Sequence, residues 1–289
     1  MSLLDIRGLS MRIGGQEILH DVSMSVAPGE ILGVIGESGS GKSMTALSAI
    51  QLLPKGAACQ GQVHLGGQDM LALSERALCR VRGNEVGMVF QEPMTALNPL
   101  HTIGRQVAET ILIHEEVTRA EATRRAAEAL DRVELPQKRF PLSRYPHELS
   151  GGQRQRVGIA MAIALRPKLL IADEPTTALD VTTQAEVLRL LKRLVDEDGM
   201  GLMLISHDLG VVQHMCDSVA VMRHGEVVER GTVEGIFQAP THAYTRMLLE
   251  AVPRMEDSER GGRTALAPPP AADEAPILRV EDLRVQFPI

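Results

Sequence analysis

Gly36-Glu37-Ser38-Gly39-Ser40-Gly41-Lys42-Ser43 decides how the rest of the chain is read, because it fits the phosphate-binding pattern G-x-x-x-x-G-K-[ST] at every fixed position. Glycines at 36, 39 and 41 permit backbone angles that a side chain would forbid, so successive N–H groups can turn inward around a phosphate. Lys42 brings positive charge to β- and γ-phosphates, and Ser43 offers a hydroxyl of the kind that ligates Mg2+. Ser38 and Ser40 belong to the same nucleotide-binding loop. The flanks agree. Residues 30–35 read as a short buried strand, and 42–53 carries Leu47, Ile50 and Leu53 at helical spacing before Pro54 ends it. A strand, a glycine loop and a helix are what a phosphate at a helix N-terminus requires.

The chain has 289 residues, 44% hydrophobic and 23% charged, which accommodates one large globular domain or a domain with an extension. Its net charge of −7 gives no general attraction to nucleic acid. Cys59, Cys79 and Cys216 are odd in number and lack C-x-x-C spacing, so they read as free, buried or half-buried thiols. The longest apolar run, 157–165, is too short to span a bilayer, and no signal peptide is read at the N-terminus. The protein is expected to be intracellular and to meet a membrane only through a partner.

Working outward, residues 3–13 and 18–26 alternate apolar and polar around Gly14-Gly15, as antiparallel half-buried strands do. A further hairpin is read at 61–67, a short helix at 71–81 and a buried strand at 86–90 ending at Gln91. The stretch 92–100 holds Pro93 and Pro99 and reads as a loop of fixed shape. From 102 to 135 the pattern is helical, with Thr118 and Glu121 spaced as a capping box. Ser150 lies near the N-cap of a helix over about 154–165. The run 169–172 is an apolar strand whose end presents two adjacent carboxylates, Asp173 and Glu174. Asp180 caps an amphipathic helix with a stripe of Val187, Leu190, Leu191 and Leu194. A strand at 202–205 leads to His207, a hairpin spans 219–228, and two helical pieces close the domain near Pro253. Residues 254–276 read as a linker rich in glycine, alanine and proline. Residues 277–287 then align without gaps to 3–13, as if a second copy of the domain began at 277–289 and were cut short.

The phosphate loop, Gln91, Leu149-Ser150-Gly151-Gly152-Gln153, the strand ending in Asp173-Glu174, Ala178-Leu179-Asp180 and His207 follow one another as in the ATPase subunits of ABC transporters, which the chain resembles over 3–253. Phe90-Gln91-Glu92-Pro93-Met94-Thr95-Ala96-Leu97-Asn98-Pro99, the run from Glu174 to Thr182 and Ala239-Pro240-Thr241-His242-Ala243-Tyr244-Thr245 look like the oligopeptide, dipeptide and nickel importers of that family. The resemblance implies an α/β fold: a P-loop NTPase core with an antiparallel β subdomain and an α-helical subdomain inserted at about 92–167.

It also implies roles. Asp173 would hold Mg2+ beside Ser43, and Glu174 would orient and deprotonate the attacking water. His207 would contact the γ-phosphate, and Gln91 would reach both metal and water; alone, His207 reads equally as a structural histidine at a strand end, and Gln91 as a solvated loop amide. Ser150, Gly152 and Gln153 would face ATP bound to an opposite subunit, with Asp180 at that interface as well as capping its helix. The family stacks adenine on an aromatic residue where this chain has Ile13, while Phe287 holds the equivalent place in the repeat; aliphatic packing covers a base without stacking on it.

The function so implied is an ATP-hydrolysing motor of an importer for peptides or related solutes. It would sit on the cytoplasmic face of the plasma membrane, paired with a second ATPase domain and with permease subunits, and serve an extracytoplasmic substrate-binding protein indirectly. The resemblance implies no nucleic-acid partner and no iron–sulfur cluster. A soluble ABC ATPase of DNA repair or translation is the alternative.

Overall fold

A computed structural model describes residues 2–91, 97–177, 179–251 and 280–284, and its contacts separate residues 1–249 from 250–289. Within the first unit, β1 (Leu4–Ile13) lies between β2 (Gln16–Val26) and β4 (Ala57–Leu65), and β5 (Gln68–Asp69) pairs with β4, all antiparallel. The second sheet follows the order β10-β9-β3-β8-β7-β6. It comprises β3 (Ile31–Ile35), β6 (Val86–Val89), β7 (Leu169–Asp173), β8 (Gly201–Ile205), β9 (Ser218–Arg223) and β10 (Glu226–Thr232). Only β10 runs antiparallel to its neighbour.

The parallel strands β3, β6, β7 and β8 of this second sheet are apolar at nearly every position because both faces are covered, whereas the edge strand β10 is largely polar. Ile31 and Ile35 of β3, Leu202 and Leu204 of β8, and Leu170 and Ala172 of β7 face one core. Leu32, Val34, Met203, Ile205, Leu169 and Ile171 face the other. The first core is shared with helices, the second with the antiparallel sheet. Each such side chain, fully buried, contributes about 1.5–3 kcal/mol.

Helices join the strands. They are α1 (Lys42–Ala49), α2 (Glu75–Val81), α3 (Ile103–His114), α4 (Arg119–Arg132), α5 (Gly151–Ile163), α6 (Val181–Asp198), α7 (Leu209–Met215), α8 (Val233–Gln238) and α9 (Ala243–Glu250). α3, α4 and α5 lie between β6 and β7 in the chain, although those two strands are neighbours in the sheet. α6 runs from Asp180 to a left-handed cap at Gly199 and buries Val187, Leu190, Leu191 and Leu194, the stripe its periodicity predicts.

Several elements depart from the sequence reading. α1 stops at Ala49, not at Pro54. Gln51 takes φ 53° and Arg82 Nε donates to the Ile50 carbonyl at 2.8 Å, so a guanidinium closes the helix where a proline was expected to. α2 begins only at Glu75, and β4 starts four residues before the expected hairpin strand. Thr118 caps α4 by accepting from Glu121 N at 3.2 Å, but the Glu121 carboxylate turns to Arg124 at 2.6 Å and leaves the capping box half made. Cys79 is exposed rather than buried. Phe90 leaves the sheet and is exposed. Residues 92–96 of the prolyl loop, the linker, and most of the repeat lie outside the described residues; 280–284 carry no strand.

Candidate active site

The loop 36–43 joins β3 to α1 and lies against β9. Gly36 has φ 149°, and a Cβ there would stand 2.1 Å from the Met222 carbonyl oxygen, so no other residue fits between loop and strand. Ser40 N donates to Glu37 O at 3.1 Å and Gly225 N donates to Ser40 O at 3.0 Å, which ties the loop to itself and to the β9–β10 turn. Ser38 and Gly39 are exposed at its tip.

Lys42 is 5% exposed. Its Nζ donates to the carbonyls of Gly36 at 2.8 Å and Glu37 at 2.9 Å. Burial lowers its ammonium pKa, against the opposing pull of Glu174 and Asp173. An ammonium held short of full solvation beside two carboxylates is ready for a more strongly anionic partner.

β7 delivers Asp173 to this place, where Ser43 Oγ donates to Asp173 Oδ1 at 3.0 Å. Burial raises the Asp173 carboxyl, and the Ser43 hydroxyl pulls the other way. A serine hydroxyl and a carboxylate side by side are the hard oxygen donors that Mg2+ accepts while keeping most of its water, so the residues fit that ion.

The next residue turns away. Glu174 takes φ 45°, a left-handed conformation that costs on the order of 1–3 kcal/mol in a non-glycine residue and swings its side chain out of line with the strand. Its Oε2 receives Gln91 Nε2 at 3.0 Å and Thr177 Oγ1 at 2.9 Å, and His207 Nδ1 lies 3.3 Å away. The three residues expected to be catalytic, Gln91, Glu174 and His207, therefore meet at one carboxylate oxygen. Gln91 and His207 are exposed, which leaves the cluster open to water and substrate. Thr177 was not picked out as a site residue. Its signal was its place three residues after Glu174 in the prolyl turn, where a hydroxyl can return to the carboxylate.

The remaining predicted residues are built differently. Ser150 caps α5: its Oγ accepts from Gln153 N at 3.3 Å, and Gln153 Oε1 accepts from Ser150 N at 3.0 Å. A Cβ on buried Gly152 would stand 2.2 Å from Thr183 Cγ2, so glycine lets the start of α5 press against the start of α6. Asp180 caps α6 by accepting from Thr183 N at 3.0 Å and Thr183 Oγ1 at 2.7 Å. The Thr183 hydroxyl holds the Asp180 carboxyl below its usual range. These partners all lie in 150–153 and 180–183, and none in 36–43 or 173–174. Two helix N-termini thus sit side by side with Ser150 exposed and, next to Asp180, Val181 83% exposed. Ile13 stands half-buried at the end of β1, opposite Gln16 and Ala57.

The chain is similar to known proteins in sequence and in fold. The family model for ABC transporters matches residues 19–177, and that for the oligopeptide/dipeptide transporter C-terminal region matches 228–277. The probable peptide ABC transporter ATP-binding protein y4tR of Sinorhizobium fredii is 51% identical over 91% of this chain and 80% of its own length. The peptidoglycan transport ATP-binding protein YejF of Agrobacterium fabrum is 50% identical over 99% of this chain and 52% of its own. The glutathione import ATP-binding protein GsiA of Escherichia coli O157:H7 is 48% identical over 94% of this chain and 47% of its own. The chain thus spans about half the length of the latter two. Among solved structures, the dimeric post-hydrolysis state of the ATP-binding cassette MJ0796 bound to ADP and Pi superimposes with a TM-score of 0.69 at 30% identity, covering 80% of this chain and 98% of that one. CbiO1 from Clostridium perfringens, part of the ABC transporter complex cbiONQ, gives 0.72 at 25% identity over 90% and 99%. The family match, the relatives and the solved cassettes point the same way: the chain belongs to the ABC transporter family, with the α/β fold of its ATP-hydrolysing cassettes.

Proposed function

We propose that this chain is the ATP-driven motor of an importer for peptides or related small solutes, on the cytoplasmic face of the membrane. The observation that carries the reading is the convergence of Gln91, Thr177 and His207 on the Glu174 carboxylate, one residue from the Asp173–Ser43 pair and beside Lys42. In hydrolysis a water oxygen bonds to the γ-phosphorus, the bond from that phosphorus to the β–γ bridging oxygen breaks, and the water's proton goes to Glu174. Gln91 and His207 hold that carboxylate and the water in line, and Lys42 meets the charge on the β- and γ-phosphates. Bound Mg2+, held by Ser43 and Asp173 with Gln91 in reach, would neutralise phosphate charge. Ile13 covers the base by aliphatic packing, and the loop residues 36–43 donate N–H groups to the phosphates.

Ser150, Gly152, Gln153 and Asp180 act on the ATP of a second ATPase domain. Helix N-termini favour an anion, and here two of them are exposed together with no phosphate loop of their own to serve. The repeat of 3–13 at 277–287 supports a second domain fused after the linker, as does the near-double length of the Agrobacterium and Escherichia relatives.

A permease would engage the helical insert. Leu52 and Phe90, 41% and 44% exposed, line a groove of about 310 Å³ with Met161 and the buried Gln155, whose Nε2 has no hydrogen-bond partner among the described residues. Arg82, which closes α1, lines the same groove, so pressure there reaches the phosphate-loop helix. Relatives named for peptide and glutathione import support an importer over a repair or translation ATPase. An extracytoplasmic binding protein would then deliver the cargo.

The test is phosphate release against chain concentration with Mg2+ present. A rate per chain that climbs with concentration and then levels supports paired sites; a rate per chain independent of concentration contradicts them.

A further inference from the structure

The C-terminal part of the domain touches the phosphate loop directly. Tyr244, on α9 and 2% exposed, accepts the Glu37 N–H on its hydroxyl oxygen at 3.1 Å. That N–H belongs to the peptide whose carbonyl, on Gly36, receives Lys42 Nζ at 2.8 Å. One peptide group at the start of the loop is therefore held at both ends, by an ammonium on one side and a phenol on the other.

Tyr244 is itself fixed. The Arg223 guanidinium stands 4.7 Å over its ring, at the end of the strand whose Met222 carbonyl abuts Gly36. Upstream, the Glu229 carboxylate of β10 accepts from Thr241 N at 2.6 Å, Thr241 Oγ1 at 2.7 Å and His242 N at 3.1 Å, and His242 Nδ1 accepts from Tyr244 N at 3.2 Å. Burial raises the Tyr244 phenol, as does the neighbouring Glu37 carboxylate, so the hydroxyl keeps its proton.

The two anchors on the 36–37 peptide are unequal once ATP arrives. An ammonium forms stronger, charge-assisted bonds to phosphate oxygens than to neutral carbonyls, so Lys42 leaves Gly36 and Glu37 for the nucleotide. The phenol has no such alternative. We propose that Tyr244 is a positioning residue for the phosphate loop: its hydroxyl keeps the 36–37 peptide in place when Lys42 turns to the phosphates, and Glu229 holds the segment that carries it. This rests on the reading of 36–43 as the ATP site and adds to it a role for residues outside that site.

Tyr244→Phe removes the hydroxyl and keeps the ring, its burial and the Arg223 contact. Measured on the full chain, with ATP by calorimetry and by steady-state hydrolysis, the variant should show Kd and KM raised about three- to tenfold, the worth of one hydrogen bond, with kcat within about twofold of native. Its melting temperature should fall by about 1–6 °C, the worth of that one bond in the ligand-free chain. Glu229→Ala, which releases all three donors, should shift Kd and KM in the same direction. Native Kd and KM in Tyr244→Phe would overturn the proposal, and so would a joint fall of kcat and melting temperature with KM unchanged, which marks a purely structural residue. If the native chain itself does not bind ATP, the reading of the loop fails first, and that failure is seen before any variant is compared.

Discussion

The loop 36–43 with Asp173 and Glu174 and the pair of helix starts at Ser150 and Asp180 both serve the nucleotide in the proposed function, yet they are built in opposite ways. The first is closed on itself: Lys42 is folded onto its own loop, Ser43 onto Asp173, and Gln91, Thr177 and His207 onto Glu174. The second satisfies only its own helix turns and leaves Ser150 and Val181 at the surface. A region that spends its hydrogen bonds inward is ready for a ligand of its own. A region that satisfies its caps and shows its outer face is ready for a ligand carried by something else. The difference supports the proposal that each site is completed by a second domain.

The sharpest way to break this comparison is Glu174→Gln, which removes the proton acceptor and keeps the shape. Turnover should fall by about 10²–10⁴-fold, read as phosphate release in a single turnover, while ATP binding at the loop persists. Gly152→Ala strikes the other region. Its Cβ would meet Thr183 Cγ2 at 2.2 Å, so the two helix starts must part, at a cost of about 1–3 kcal/mol. Turnover should drop while ATP affinity of the single domain, measured by calorimetry, stays native. A loss of affinity would mean the two regions are not separate.

Thr177→Ala removes one donor from Glu174, worth about 0.5–1.5 kcal/mol, and should slow turnover by roughly two- to tenfold with little change in KM. The smallest effect is expected on stability at position 180. Asn caps a helix about as well as Asp, so Asp180→Asn should leave the melting temperature within about 1 °C of native, whereas Asp180→Ala costs about 1 kcal/mol. A large loss of stability in Asp180→Asn would show that the carboxylate does more within its own domain than cap α6.

Much of this was legible in the sequence because it is local. The glycine loop, the apolar strand ending in two carboxylates, and Ser150 and Asp180 as helix caps are written within a few residues of where they act, and period and capping rules read them. What escaped depends on partners distant in the chain or on competition between near ones. The end of α1 is set by Arg82 rather than by the proline beside it, which no local rule foresees. Glu121 found Arg124 instead of its capping position, because an exposed ion pair a turn away competed for it. Tyr244 stood in a motif that marked a family branch, and only folding brought its hydroxyl 207 residues back along the chain to Glu37.

In the proposed function each ATP is served by the loop of one domain and the helix start of another. Two variants, each inactive alone, test it most directly: Lys42→Ala, which disables the loop, and Ser150→Arg, which blocks the helix start. Mixed in equal amounts, half of randomly formed pairs hold one of each, and each such pair has one of its two sites intact. Phosphate release should then recover to about a quarter of the native rate. A mixture as inactive as its components, with light scattering showing that pairs form, would contradict it.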